Sequence, residues 1–544
     1  MDTSSGPLRA GLLDKRRTVA PPGFNRWLVP PAALCVHLCI GMAYGFSVFW
    51  LPLSRAVGID APVPCPEGTG LLARLAATTW DWDKPLLGWI YTLFFVFLGS
   101  SAALFGPWLE RVGPRRAGVV AAACWCGGLA IAALGVALHR LWIVWLGAGV
   151  IGGIGLGIGY ISPVSTLVRW FPDRRGLATG MAIMGFGGGA MIGAPLAERL
   201  MRHFATPRSV GVWETLLTMA AIYLVFMLIG AFAYRVPPEG WSPRGGGGAG
   251  RGAGEAGAEP VRCLSAAEAI RTRPFWLVWL VLCLNVSAGI GVIGMASPML
   301  QEMFGGRLVG RDVPFEALDA ADVARVAAVA AGFTGLLSLF NILGRFFWSA
   351  LSDTIGRRAL YAIFFAAGTF LYAAVPAIGR SGSVGLFCAV MCLILSMYGG
   401  GFAAIPAYLA DLFGTGSIGA IHGRLLTAWS VAGILGPVLV NYLNQWQRAA
   451  GVPAARAYDR TMLVLAGVLA VGFVANAAIR VPRTTAAPAL TGAGAGTGVA
   501  GGARGEGASR ASSWWLAAAF WLLVTLPLAW GVWETLRQTA ALFG

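Results

Sequence analysis

Charged residues are scarce in this 544-residue chain. Only 12% of its residues are Asp, Glu, Lys or Arg, whereas 57% are hydrophobic; soluble globular chains contain about 25% charged residues. Such a sparse charge excludes an ordinary soluble enzyme, a disordered protein and a coiled coil. The composition instead indicates a protein whose surface faces lipid over most of its area.

Lysine is almost absent. The basic residues comprise 38 Arg and only two Lys, Lys15 and Lys84. A GC-rich coding sequence explains this skew without reference to function. Its structural consequence is that the two basic residues predicted to lie inside helices, Arg345 and Arg424, are both arginines.

Neither the cysteines nor the histidines form a recognisable ligand set. Cys65 stands alone in a loop, and the pairs Cys124/Cys126 and Cys388/Cys392 have no second pair or histidine nearby. The four histidines are scattered along the chain. We therefore expect no disulfide framework, no metal and no other cofactor. A membrane-embedded enzyme is disfavoured because it needs clustered His, Cys or acidic residues near one membrane face.

The chain does contain a series of long apolar runs. A helix needs about 20 apolar residues to cross a bilayer. The first run is too long for a cleaved signal peptide, so we expect it to remain as a spanning helix. The last run has Trp at both ends, and we interpret it as an accessory anchor. A contact role in assembly is the alternative, although we expect the protein to be monomeric. The thirteen runs are 27–53, 85–108, 117–138, 141–167, 176–200, 212–235, 274–299, 323–351, 358–379, 384–409, 420–444, 459–480 and 514–536.

The basic residues set the expected orientation. The net charge of +16 is distributed in short clusters between the apolar runs, a pattern typical of membrane proteins and not of nucleic-acid binding. With a cytoplasmic N-terminus, 23 basic residues lie in inside segments and 15 in outside segments. We expect a multi-pass protein of the plasma (inner) membrane, with the N-terminus in the cytoplasm and the C-terminus outside.

The first twelve runs form two similar halves. Glu110 and Asp353 are 243 residues apart, and the same offset separates Pro163 from Pro406. Such an offset indicates a duplicated six-helix unit, which is typical of secondary transporters. The predicted organisation is a cytoplasmic segment at 1–26, a six-helix bundle at 27–236, a cytoplasmic linker at 237–273, a second bundle at 274–481, a Gly/Ala-rich tether at 482–513 and an extra helix at 514–544.

Two equivalent loops each contain an acid, a glycine and a pair of arginines. They read LERVGPRR at 109–116 and LSDTIGRR at 351–358. The acid can pair with an arginine or lie at a helix N-terminus, and such contacts can break when the halves move. Simple marking of the cytoplasmic side by arginine is the other explanation. Because the loops occur in register, we predict a gate formed by Glu110, Gly113, Arg115, Asp353, Gly356 and Arg357.

These loops resemble the signature loop of the major facilitator superfamily, and the resemblance covers residues 27–481. Within it, GIGYISP at 157–163, FPDRRGLATG at 171–180 and NILGR at 341–345 resemble the oxalate/formate antiporter family. The resemblance implies an all-α membrane protein with the major facilitator fold, two pseudo-symmetric six-helix bundles, to which this chain adds one C-terminal transmembrane helix. It also implies transport of small carboxylates, such as oxalate, formate, pyruvate or lactate, by alternating access.

Arg345 is the main candidate for a substrate-binding residue. It lies eight residues before Asp353, which is about 12 Å deeper at ~1.5 Å per residue. A cation at that depth is unfavourable unless it faces a cavity, a partner or an anion. Its guanidinium matches a carboxylate, and Asn341 lies one turn away on the same face. Snorkelling to the cytoplasmic side and pairing with an acid on another helix are the alternatives. The resemblance favours the ligand interpretation because the carboxylate-binding arginine of oxalate transporters lies in this block.

Trp429 marks a departure from the family pattern. The resemblance implies a lysine at this position of the eleventh helix in oxalate transporters. A dianion facing Arg345 alone would remain half uncompensated, and buried unpaired charge is unfavourable. We therefore predict a monocarboxylate such as formate, pyruvate or lactate as substrate. Oxalate/formate exchange proper is the alternative.

Aromatic side chains on central helices are predicted to line the site. Tyr44, Tyr160, Tyr398 and Phe402 stand near Gly-rich or Pro-broken segments, although ordinary packing explains each one equally well. His37 is expected either to relay a proton to the site or to be a hydrogen-bonded structural residue.

Acidic residues are predicted only near helix ends, so no mid-membrane carboxylate is available to carry protons. The small organic anion is therefore expected to move in exchange for a counter-anion or together with a proton. A non-transporting carboxylate sensor of the same fold is a further alternative. Its usual soluble domain does not fit the short Gly-rich segments at 237–262 and 484–511.

Overall fold

The structure is a computed structural model that describes residues 11–58, 63–66, 68–207, 209–238, 241, 263–480 and 509–539. Within these ranges the chain is almost entirely helical and forms no β-strand, only two isolated β-bridges. Most of the predicted linker at 237–273 and of the predicted tether at 482–513 lies outside the described residues.

Thirteen helices in the described ranges are long and apolar enough to cross a membrane, as predicted. The all-α membrane architecture is therefore confirmed. The helices are α1 (Arg26–Leu53), α2 (Lys84–Val112), α3 (Pro114–Ala137), α4 (Leu141–Trp170), α5 (Arg175–Phe204), α6 (Val212–Ala233), α7 (Arg273–Leu308), α8 (Ala320–Ile355), α9 (Arg357–Ser381), α10 (Val384–Phe413), α11 (Ile418–Ala449), α12 (Ala454–Ala477) and α13 (Ser509–Thr539).

α1 and α4 each contain a stretch that departs from regular α-helical geometry. α1 adopts a 3₁₀ conformation over Gly41–Phe49, and α4 contains a π-helical stretch over Trp145–Gly152. The π-helical stretch lies close to α3, since a Cβ atom at Gly147 would lie 2.5 Å from the backbone nitrogen of Ala132. Only a residue without a side chain allows the two helices to approach this closely.

α7 and α8 extend beyond the predicted apolar runs. α7 continues to Leu308 and not only to residue 299 because Phe304 is buried and packs on Phe387 of α10, with 5.0 Å between ring centroids. α8 begins at Ala320 because the Asp319 side chain accepts a hydrogen bond from the backbone N–H of Asp322 at 2.9 Å. Such an N-cap satisfies a backbone donor that the helix itself leaves free.

The helices form two halves, α1–α6 and α7–α12, whose most extensive mutual contacts involve two pairs of helices. α2 packs against α11, and α5 packs against α8. Both contacts depend on glycine: a Cβ atom at Gly106 would lie 2.8 Å from Cα of Ala420, and a Cβ atom at Gly180 would lie 2.8 Å from the carbonyl oxygen of Arg345. The α5–α8 contact therefore places Arg345 at the boundary between the halves.

α13 packs against both halves along the α5–α8 boundary. At one end, Trp521 donates from Nε1 to the carbonyl oxygen of Trp27 at 3.1 Å. In the middle, Leu528 lies in a buried cluster with Met191 of α5 and Ile342 of α8. The sequence predicted an accessory helix here but not its position, which covers the line along which the halves meet.

These contacts predict that α13 stays attached when its tether is cut. After insertion of a protease site within 484–508 and cleavage, we expect the fragment containing α13 to co-purify with the bundle in detergent. Gly531→Leu should release it, because a Cβ atom at Gly531 already lies 3.1 Å from Ile192 and Met191. Leu526→Ala, a change on the exposed face of α13, is the control and should have no effect. Loss of the wild-type fragment would contradict this packing.

Candidate functional site

The Arg345 side chain of α8 is fully buried, and only some of its N–H groups have hydrogen-bond partners. Its Nε donates to Oδ1 of Asn341 at 3.0 Å, and its Nη1 donates to the carbonyl oxygen of Ile183 on α5 at 3.2 Å. Its Nη2 is buried and has no hydrogen-bond partner. In the described ranges Arg345 takes part in no ion pair, so neither snorkelling nor pairing with an acid explains its position.

Asn341 holds the guanidinium in a fixed orientation. Its Nδ2 donates to the carbonyl oxygen of Leu395 on α10 at 3.2 Å, which leaves Oδ1 free to accept from Arg345. Glycines make room for this arrangement: a Cβ atom at Gly399 would lie 2.2 Å from the Asn341 carbonyl oxygen, and one at Gly187 would lie 3.0 Å from Arg345 Nε. Asn341 and Arg345, both predicted to bind substrate, therefore form one hydrogen-bonded pair, and this pairing fixes the orientation of the guanidinium.

The predicted aromatic residues gather beside Arg345. The guanidinium carbon lies 5.9 Å from the ring centroid of Tyr44 and 5.7 Å from that of Phe402. Trp429 is fully buried, and its ring centroid lies 4.1 Å from Phe402 and 5.5 Å from Tyr160. Residues from α1, α4, α8, α10 and α11 thus meet in one cluster, which contains side chains from both halves.

The cluster is rich in buried hydrogen-bond donors that have no partner. The Tyr44 hydroxyl lies near Tyr398 and Arg345 but forms no hydrogen bond of standard geometry with either. A buried donor without a partner is unfavourable by about 1–3 kcal/mol. The atoms concerned are Arg345 Nη2, Trp429 Nε1 and the hydroxyl oxygens of Tyr44, Tyr160 and Tyr398. A positive charge surrounded by N–H and O–H donors is suited to an anion with oxygen acceptors.

Sequence reasoning did not select His422, which contacts Tyr160 as Phe186 does. Its ring centroid is 5.8 Å from that of Tyr160, its side chain is buried, and its Nε2 has no partner. His422 and Trp429 are seven residues apart, which is two helical turns, so helical periodicity places them on the same face. This seven-residue spacing is the sequence feature that could have identified His422 as a site residue. Phe186 itself, 5.5 Å from Trp429, carried no such signal.

A second constellation lies at the N-terminal face, the end of the bundle where α1 begins and α2 and α8 end. The Glu110 carboxylate accepts the backbone N–H of Gly419 at 2.9 Å. The Asp353 carboxylate accepts the backbone N–H groups of Gly176 and Leu177 at 2.8 and 2.9 Å. Each acid therefore caps the first turn of a helix in the opposite half, where the helix dipole favours negative charge.

Arginines extend each of these caps into a cluster of polar contacts between the halves. Arg169 pairs with Glu110 and donates to the carbonyl oxygen of Gly416 in the other half at 3.3 Å. Arg175 pairs across the boundary with Asp411 at 2.8 Å. Arg357 pairs with Asp353 at 2.5 Å and with Asp411 at 3.2 Å. Sequence reasoning did not select Arg169, Arg175 or Asp411, although Arg169 and Asp411 are 242 residues apart and so fit the repeat.

The remaining predicted gate residues have structural roles at this face. Gly113 and Gly356 have φ angles of +86° and +83°, which favour glycine and turn the chain sharply into the next helix. The structure places Arg115 outside the contacts between the halves: it is buried and donates to the carbonyl oxygens of Leu12 in the N-terminal segment and Phe232 in α6.

Arg26 and Asp173 brace the first half beside these contacts. The Arg26 guanidinium donates to both Asp173 oxygens at 2.8 and 2.9 Å. Burial raises the pKa of Asp173, but the hydrogen bonds from Arg26 and its positive charge outweigh this effect and hold the pKa below its usual value. The carboxylate therefore stays ionised at neutral pH and keeps α1 fixed to the α4–α5 turn.

Comparison with known proteins agrees with this architecture. Residues 33–437 match the family model of the Major Facilitator Superfamily. The chain is 25% identical over 414 residues to the oxalate:formate antiporter of Oxalobacter formigenes, which covers 76% of this chain and 83% of that protein. It is 25% identical over 451 residues to apicoplast pyruvate carrier 1 of Toxoplasma gondii, which covers 71% of this chain and 78% of that protein.

Among solved structures, the fold is similar to that of FucP, a transporter crystallised in the outward conformation. The TM-score is 0.55 at 14% identity, covering 83% of this chain and 99% of FucP. These findings confirm the predicted fold and the predicted resemblance to the oxalate/formate antiporters. The chain belongs to the major facilitator superfamily.

Proposed function

We propose that this transporter carries a small monocarboxylate by alternating access, with Arg345 as the residue that binds the substrate carboxylate. The observation that carries the proposal is the buried Nη2 atom of Arg345, which lacks a partner among other buried donors. A carboxylate placed there accepts from Arg345 and from the neighbouring tyrosine hydroxyls. The similarity to a named oxalate:formate antiporter and a named pyruvate carrier supports a small carboxylate as the class of substrate.

The charge of the site favours a monoanion. Arg345 is the fully buried cation of the cluster, and Trp429 of α11 packs on the same Phe402 ring as Arg345. One guanidinium neutralises one carboxylate, whereas the second carboxylate of oxalate would face aromatic rings. Burying that second charge without a counter-charge is strongly unfavourable.

The N-terminal face supports alternating access. Its two capping contacts join opposite halves, and Glu110/Asp353 and Gly176/Gly419 are both separated by 243 residues. Related contacts formed by the two repeats hold the halves together at one end of the bundle, as expected for a gate. We place this face in the cytoplasm, in accord with the excess of basic residues there.

Replacing Trp429 by Lys should shift the preference toward oxalate. The new ammonium group supplies the second positive charge that a dianion requires, and a monoanion would leave it uncompensated. We expect oxalate to bind at least about tenfold better relative to formate, which corresponds to ~1.4 kcal/mol. The measurement is competition by each anion against labelled substrate in proteoliposomes.

Trp446→Lys is the matched control, because Trp446 is exposed and lies on the same helix. That variant should retain the wild-type preference. An unchanged preference in Trp429→Lys, with uptake retained, would show that the site lies elsewhere. Net uptake by the wild type also distinguishes a transporter from a sensor, which binds without flux.

A further inference from the structure

His37 on α1 is fully buried and faces a hydrogen-bond acceptor on each side of its ring. Its Nδ1 lies 2.7 Å from the carbonyl oxygen of Ala182 on α5, and its Nε2 lies 3.2 Å from the carbonyl oxygen of Tyr160 on α4. Both carbonyl oxygens can only accept a hydrogen bond, so each ring nitrogen must carry a proton to form one.

A neutral imidazole cannot satisfy both positions. It has one N–H group, and in either tautomer the other nitrogen directs a lone pair at a carbonyl oxygen. The doubly protonated ring donates on both sides. We propose that His37 is a proton-binding site, and that its proton travels with the carboxylate bound at Arg345. This inference rests on the proposed function and adds to it the coupling ion.

The groups around His37 come from four other helices. Tyr160 of α4 stacks on its ring at 5.3 Å and 28°, and Phe186 of α5 meets it edge-on at 6.4 Å. His422 of α11 lies against the same Tyr160 ring at 5.8 Å. The positive charge of Arg345 on α8 opposes a positive charge on His37. Among these described neighbours there is no carboxylate, so a proton on His37 has no fixed counter-charge.

Substrate supplies that counter-charge. Without substrate, the positive Arg345 opposes a second proton on His37. A carboxylate at Arg345 cancels that charge and thereby favours the proton, and by reciprocity the proton strengthens carboxylate binding. The species that crosses the membrane is then one anion with one proton. The proton is taken from water on one side and released to water on the other, so the net movement is electroneutral.

Two measurements test this coupling. The first is the number of protons taken up when lactate binds the purified protein at pH 7, obtained by calorimetry in buffers of different ionisation enthalpy. The wild type should take up a proton on binding, and His37→Gln should not. The second is lactate uptake into proteoliposomes containing a pH-sensitive dye. The wild type should acidify the lumen, and each unit of inward proton gradient should raise accumulation by about tenfold.

His37→Gln keeps an N–H₂ donor and should still exchange internal for external lactate, but without acidification or response to a pH gradient. His203→Gln, at an exposed position near the end of α5, is the control and should behave as wild type. Proton uptake that persists in His37→Gln would overturn the inference, as would wild-type lactate uptake without acidification. Absence of wild-type uptake of formate, pyruvate and lactate alike would instead reject the proposed function.

If His37→Gln does not fold, the proton-binding role of His37 is tested with His37→Asn and with calorimetry on the wild type. Binding of lactate with no proton uptake by the wild type between pH 6 and 8 would contradict the inference without any variant. Binding with proton uptake that is lost in His37→Asn would support it.

Discussion

Arg345→Gln is expected to abolish substrate uptake while the protein still reaches the membrane. The change removes two charge-assisted hydrogen bonds to the carboxylate, each contributing about 1.5–3 kcal/mol, so binding should weaken by at least ~100-fold. Arg345→Lys keeps the charge but loses the planar fork, and we expect an intermediate loss. The measurement is uptake of labelled pyruvate or lactate in proteoliposomes, normalised to the amount of inserted protein.

Thermal stability separates this role from a structural one. Because Arg345 is a buried cation without an acidic partner in the described ranges, Arg345→Gln should leave the melting temperature in detergent unchanged or raise it. Arg325→Gln, at a largely exposed position on the same helix paired with Asp322, is the matched control and should retain uptake. Undiminished uptake by Arg345→Gln would reject the assignment.

Asp353→Ala is expected to open the N-terminal face. It removes the cap on Gly176 and Leu177 and leaves Arg357, whose side chain is only 8% exposed, with Asp411 as its remaining partner. Loss of one partner from a largely buried ion pair is unfavourable by about 3 kcal/mol. The closed state should therefore lose about two orders of magnitude in relative population.

Cysteine labelling measures this opening. Ser349 of α8 is fully buried, and a Cβ atom at Gly180 of α5 would lie 3.0 Å from its Cβ, so Ser349→Cys should be protected while the face is closed. In a background that lacks the exposed Cys263, Asp353→Ala should make residue 349 react with a membrane-impermeant maleimide. Glu198→Ala breaks an exposed pair with Arg202 and should leave it protected. Equal protection in both variants would show that Asp353 does not hold the gate.

The sequence predicted those features that depend on position along one helix. The depth of Arg345 followed from its distance to Asp353, and the apolar runs placed all thirteen helices. The repeat offset identified Glu110 and Asp353 as equivalent, which agrees with their matching contacts at helix N-termini in the opposite half.

Features that depend on which helix faces which were not predictable. His422 and Asp411 occur in sequence contexts that give no hint of Tyr160 or Arg175 as neighbours, because these partners lie more than two hundred residues away. Arg115 looked equivalent to Arg357, but only Arg357 has an acid from a neighbouring helix within reach. The place of α13 also depends on packing, since its composition would suit any lipid-exposed groove.

The most direct test of monocarboxylate transport is net uptake by the wild-type protein in proteoliposomes, measured for labelled formate, pyruvate, lactate and oxalate under identical gradients. We expect saturable uptake of at least one monocarboxylate above empty liposomes, with oxalate transported much more slowly. Preferential uptake of oxalate, or uptake of none of the four anions, would contradict this expectation.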